Sequence, residues 1–109
     1  MGNVGTTKVF ENDKIIVWEF TLEPGEETPV HKHEHDYVFY VLDGAPLQVF
    51  DQNGADLGTF DATSGSTFAF RVEGDDLVST DEKGHRVPAT HKARNAGASR
   101  YREMLVETK

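Results

Sequence analysis

Along IIVWEFTL, residues 15–22, Ile16, Trp18, Phe20 and Leu22 share one side of an alternating pattern, and Ile15, Val17, Glu19 and Thr21 share the other. The first side is apolar throughout; the second turns polar at Glu19. Successive side chains of a strand point to opposite faces, so this run predicts a strand with one face in a core. Four more short runs rich in β-branched and aromatic residues follow: DYVFYVL at 36–42, PLQVF at 46–50, TFAF at 67–70 and RYREMLVET at 100–108. Turn-forming clusters separate them, among them END at 11–13, EPGEE at 23–27, DGAP at 43–46, SGS at 64–66 and NAGAS at 95–99. Many short strands at close spacing predict an all-β sandwich or barrel.

No window of helical length keeps its apolar residues at i, i+3, i+4 and i+7, so no helix is expected. QNGADLGTF at 52–60 reads as part of a hairpin, with Asn53 and Gly54 supplying the positive φ angles of a tight turn. RVEGDDLVSTDEKGHRVP at 71–88 has the least pattern and is expected to be an extended loop or a long hairpin. Neither an internal repeat nor a linker is visible. The 109 residues are therefore expected to form one domain, 1–109, which is a common domain size.

Charge narrows the choice of partner. The net charge of -8 opposes binding to nucleic acid or an anionic membrane, since phosphate repels such a surface. Lys92, Arg94, Arg100 and Arg102 form a mild basic cluster, read here as solvated side chains. No apolar stretch approaches the ~20 residues of a membrane helix. The first ten residues lack the basic and apolar regions of a secretory signal, so a cytoplasmic protein is expected. Gly2 and Thr6 fit a lipidation pattern that is short enough to recur by chance. With no cysteine in the chain, thiolate ligands and thiol nucleophiles are excluded, and any metal must be held by nitrogen or oxygen.

Three of the five histidines are packed into HKHEH at 31–35. Such crowding fits a metal cup, a solvated histidine-rich turn or a proton-sensing patch. On a strand, His31 and His33 present their rings to the same side, where two ring nitrogens reach one ion at ~2.0–2.1 Å. The wider spacing bears on the choice. Gly25, His31, His33, Tyr37 and Gly44 stand in the order G-x5-H-x-H-x3-Y-x6-G, and His91 and Asn95 follow as H-x3-N. This resembles the cupin superfamily, whose first motif is G-x5-H-x-H-x3/4-E-x6-G and whose second ends in H-x3-N.

The resemblance implies a double-stranded β-helix, or jelly-roll barrel, with its metal-motif regions at 25–44 and 84–97. It implies His31, His33 and His91 as ligands of a divalent transition metal: Fe, Zn, Ni, Cu or Mn. It also suggests a homodimer, and exposed strand edges need covering in any case. The chain departs from the motif in two places. Tyr37 stands where the family carries a glutamate, and Pro88-Ala89-Thr90 replaces the usual P-x-G lead-in to the second motif. Tyr37 is accordingly the candidate catalytic acid/base, a hydrogen-bond donor to substrate or to metal-bound water, with packing against the barrel wall as the alternative. His35 continues the alternation and would join the ligands unless the strand bends after His33. Glu34 and Asp36 read as solvated, His85 as a loop residue or a guard of the cup entrance, and Asn95 as a hydrogen-bonding brace for its loop.

A cup of neutral imidazoles leaves an ion its full charge and open positions. About half of Trp18, Phe39, Tyr40, Phe50, Phe60, Phe68 and Phe70 should face inward, which suits a small organic molecule. The leading expectation is a metal-dependent enzyme acting on such a molecule, a dioxygenase or an isomerase/lyase. A non-catalytic small-molecule or metal-binding module and a pH-sensing domain are the alternatives.

Overall fold

A computed structural model describes all residues, 1–109, and contains strands, turns and no helix. Eleven strands follow in order: β1 (Thr7–Glu11), β2 (Ile15–Leu22), β3 (His31–Lys32), β4 (Asp36–Asp43), β5 (Ala45–Asp51), β6 (Asp56–Ala62), β7 (Thr67–Glu73), β8 (Asp76–Ser79), β9 (Arg86–Pro88), β10 (Thr90–Asn95) and β11 (Tyr101–Thr108). They form a seven-stranded sheet, β1-β2-β11-β4-β7-β8-β9, and a four-stranded sheet, β3-β10-β5-β6. All pairings between these strands are antiparallel. This two-sheet arrangement is the all-β architecture expected from the alternation, in the jelly-roll form that the resemblance implies.

The alternation is also what fills the space between the sheets. Ile16, Trp18, Phe20 and Leu22 are buried together with Tyr37, Phe39 and Val41 of β4 and Phe68 and Phe70 of β7, in one apolar cluster of 17 residues. β11 lies between β2 and β4, with Leu105 paired to Trp18 on one side and Phe39 on the other. Its buried face carries Tyr101, Glu103, Leu105 and Glu107, so two carboxyls enter the core on a strand that reads simply as alternating.

One local expectation changes and another is settled. The β5–β6 turn has its positive φ at Gly54 alone, because no residue other than glycine takes a positive φ. The Gly54 amide donates to the Asp51 carbonyl and the Asp51 amide to the Ala55 carbonyl. That is a three-residue loop closed by a left-handed glycine, so Asn53 needs no special conformation. Of the two expectations for 71–88, loop or long hairpin, the hairpin holds and is extended: the end of β7, then β8 and β9, form an antiparallel meander at the sheet edge.

Candidate metal centre

The three motif histidines meet through backbone pairing. His31 on β3 lies directly opposite His91 on β10. His33 sits just beyond β3, where its amide donates to the Ala89 carbonyl at 2.9 Å. Their ring centroids form a triangle with sides of 4.7, 5.0 and 5.0 Å. One nitrogen from each ring lies within 4.8 Å of those of the other two, and all three residues are buried. The strand bends at His35, which is half-buried and lies outside this group, so the alternation ends at His33. Glu34 and Asp36 are exposed.

Local carbonyls orient two of the rings. His31 Nδ1 lies 3.0 Å from the Pro29 carbonyl and His91 Nδ1 lies 2.7 Å from the Pro88 carbonyl. A carbonyl can only accept, so both Nδ1 atoms carry the hydrogen and each Nε2 keeps its lone pair. Pro88, part of the altered lead-in, thus supplies the acceptor that sets the His91 ring. His33 Nδ1 is the one enclosed side-chain polar atom with no hydrogen-bond partner.

Burial lowers the basicity of all three rings. It holds His31 below the usual range, and it places His33 well below, helped by the neighbouring His91 and His31. Burial, with His31 beside it, brings His91 down to about 4. Near neutral pH the cluster is therefore three uncharged imidazoles. The donor set fits a divalent transition metal: lone pairs are available, two tautomers are fixed from behind, and the unpartnered nitrogen belongs to the cluster.

Tyr37 lies beside the triangle. Its ring stacks on His33 at 4.4 Å and 18° and on Phe70 at 5.5 Å. Burial pushes its phenol well above the ordinary value, and Glu103 and Glu107 push it further, so the group is an O–H donor. The rings face a cavity of about 100 Å³ walled largely by apolar side chains, among them Phe20, Phe39, Phe60, Phe68 and Phe70. Of the expected wall aromatics, Phe39, Phe60, Phe68 and Phe70 do line it. Trp18 instead packs behind it, donating to Glu107 Oε1 at 2.6 Å. Tyr40 is exposed, and Phe50 lies under the Lys92 ammonium.

His85 is a wall residue rather than a solvated one. Its ring sits about 6 Å from those of Phe60 and Phe68, and its amide is held by Ser79 Oγ. Asn95 is the brace expected of it: wholly buried, it donates to the Leu22 and Ser99 carbonyls and accepts from the Gly97 amide. The basic cluster dissolves into separate surface contacts, Lys92 with Glu27, Arg94 with Gln48, Arg100 with Glu23 and Arg102 with Asp43 and Glu19. The site residue that strand reading missed is Glu103, a carboxyl in the cavity wall 4 % exposed. Its only signal was that it shares a strand side with Tyr101 and Leu105.

The family model described as auxin binding protein matches residues 3–79, more than half of the chain. That match includes His31, His33 and Tyr37 but stops short of His91. No curated protein matches the sequence. Among solved structures, a cupin domain from Bordetella pertussis Tohama I is similar with a TM-score of 0.68 and 23% identity, over 94% of this chain and 90% of that one. A cupin superfamily protein from Desulfitobacterium hafniense DCB-2 gives 0.54 and 14%, over 94% and 73%. A sugar phosphate isomerase of the cupin superfamily from Silicibacter pomeroyi DSS-3 gives 0.55 and 20%, and 89% of this chain spans only 52% of that one. At these identities the structural likenesses speak for the fold alone. The family match and the jelly roll around the histidine triangle agree: the chain belongs to the auxin-binding-protein family, within the cupin superfamily.

Proposed function

We propose that the protein is a metal-dependent enzyme acting on a small organic molecule. His31, His33 and His91 hold a divalent transition metal, and Tyr37 serves as the acid. One observation carries this reading: three uncharged, buried imidazoles converge within 4.8 Å at the wall of an apolar cavity. A bound ion would supply Lewis acidity, which no carboxylate in the ligand group offsets. The chain's own groups supply the rest. The Pro29 and Pro88 carbonyls fix two rings, the phenylalanine walls exclude water, and the Tyr37 O–H donates to an oxygen of the substrate.

The reaction classes that suit such a centre are oxygen-dependent cleavage and isomerase or lyase chemistry. The test is elemental analysis of protein purified without a metal-affinity tag, followed by turnover assays with and without oxygen. Stoichiometric iron with oxygen consumption supports the first class, and zinc or nickel with oxygen-independent turnover the second. Protein that takes up no metal after reconstitution overturns the proposal. A second reading, a non-catalytic binding module, rests on Tyr37 lying flat against His33 as a packed wall. It predicts retention of metal without turnover and no effect of Tyr37→Phe.

A further inference from the structure

Glu103 is the acidic side chain in the wall of the cavity, and the site described above leaves it without a task. Its position on β11 places it opposite Phe20 of β2 and Val41 of β4. The β4 pairing slips between Arg102 and Glu103, an irregularity of the kind that re-aims a side chain. The Tyr101 hydroxyl donates to Glu103 Oε1 at 2.6 Å. The other carboxyl oxygen has no protein partner, yet it is not among the enclosed orphan atoms, so it is open to the cavity. No lysine or arginine lines the cavity to neutralise this carboxyl.

We propose that Glu103 is a ligand-contacting residue, whose free carboxyl oxygen hydrogen-bonds the polar group of a small, uncharged organic molecule filling the apolar space between it and the histidines. This rests on the reading of the cup as the ligand site and gives that ligand a class. A volume of about 100 Å³, partly open to the outside, is of the same order as the ~150 Å³ of an engineered apolar cavity that takes benzene, so it suits an occupant about the size of a single ring. The phenylalanine walls select an apolar body. The missing cation disfavours an anionic group at the Glu103 end. Burial raises the Glu103 carboxyl to about 8 despite the Tyr101 bond, so at neutral pH the group can donate as well as accept.

Phenol and toluene are nearly isosteric, so the difference in their affinities reports the polar contact. Their binding is followed by NMR titration of the protein, both metal-free and zinc-loaded. We expect wild type to prefer phenol and Glu103→Gln, which keeps both an acceptor for Tyr101 and a polar group in the cavity, to retain most of that preference. Glu103→Leu should lose about tenfold in phenol affinity while binding toluene at least as well, the effect of one hydrogen bond to a buried carboxyl. A wild-type preference retained in Glu103→Leu overturns the proposal. So does a crystal structure of wild type with phenol in which the phenol oxygen lies beyond hydrogen-bond reach of Glu103, a measurement that holds even if the leucine variant does not fold. Failure to bind zinc, with the Glu103-dependent preference intact, would remove the metal reading and leave this one standing.

Discussion

Single side chains make testable statements about both ends of the cavity. Replacing His31 or His91 by alanine removes one of three donors and should weaken zinc binding beyond the ~10–100-fold typical of losing a group behind a ligand. His35→Ala should leave zinc affinity unchanged, since the chain bends away there. Isothermal titration distinguishes the two outcomes. Glu103 makes a separate prediction in pH. Its folded value of about 8 lies above the ordinary 4.5, so the folded protein binds the extra proton. The associated stability is present below pH 4.5 and is lost as the pH rises to about 8, by an amount on the order of a few kcal/mol. His91 works in the opposite direction at lower pH: its value near 4 lies below the ordinary 6.5, so stability falls as pH drops through that interval. Between pH 6.5 and 8 the Glu103 term therefore stands apart from it. Glu103→Gln should flatten the denaturant midpoint there; an unchanged slope would show that the carboxyl is already ionised in the native protein.

At the scale of the elements, the two motif glycines and the asparagine hold strand ends in place. Gly25 takes a φ of +81° where the chain leaves β2, a conformation that costs other residues roughly 1–2 kcal/mol. Gly44 joins β4 to β5 under a different constraint, because an added Cβ would lie 2.5 Å from the Ala62 carbonyl oxygen and 2.7 Å from the Ser64 nitrogen. Backbone atoms cannot swing aside as a flexible side chain can. Gly44→Ala should cost at least ~1–3 kcal/mol in chemical denaturation, the usual penalty of overpacking. Asn95→Ala removes three hydrogen bonds at a wholly buried position, for about 2–3 kcal/mol. The positions of these residues were legible in the spacing of the two motifs. Their different reasons were not, since the sequence does not say which glycine needs its φ and which its missing side chain.

For the whole molecule, the seven-stranded sheet ends at β1, whose residues are all exposed, including Val9 at 54% and Phe10 at 51%. We propose this open edge, where Val9 and Phe10 are exposed beside the Lys8–Glu11 ion pair, as the seat of a second copy of the chain, because edge strands with unpaired backbone invite pairing. Phe10→Glu should then shift a dimer to monomer in sedimentation; a wild type that sediments as a monomer at all concentrations would end that idea. The alternation of IIVWEFTL and DYVFYVL determined the all-β class by itself, because period two puts every second side chain in the core. The resemblance of their surroundings to the cupin motifs named His31, His33 and His91 as the ligand candidates. The tertiary structure alone decided that His91 faces His31 across a strand pair and that His35 is turned away by a bend. It also made the meander of 71–88 and brought Glu103 to the cavity wall. Each of these depends on strand register and on what lies across the sheet, and a linear pattern carries no record of the partner strand.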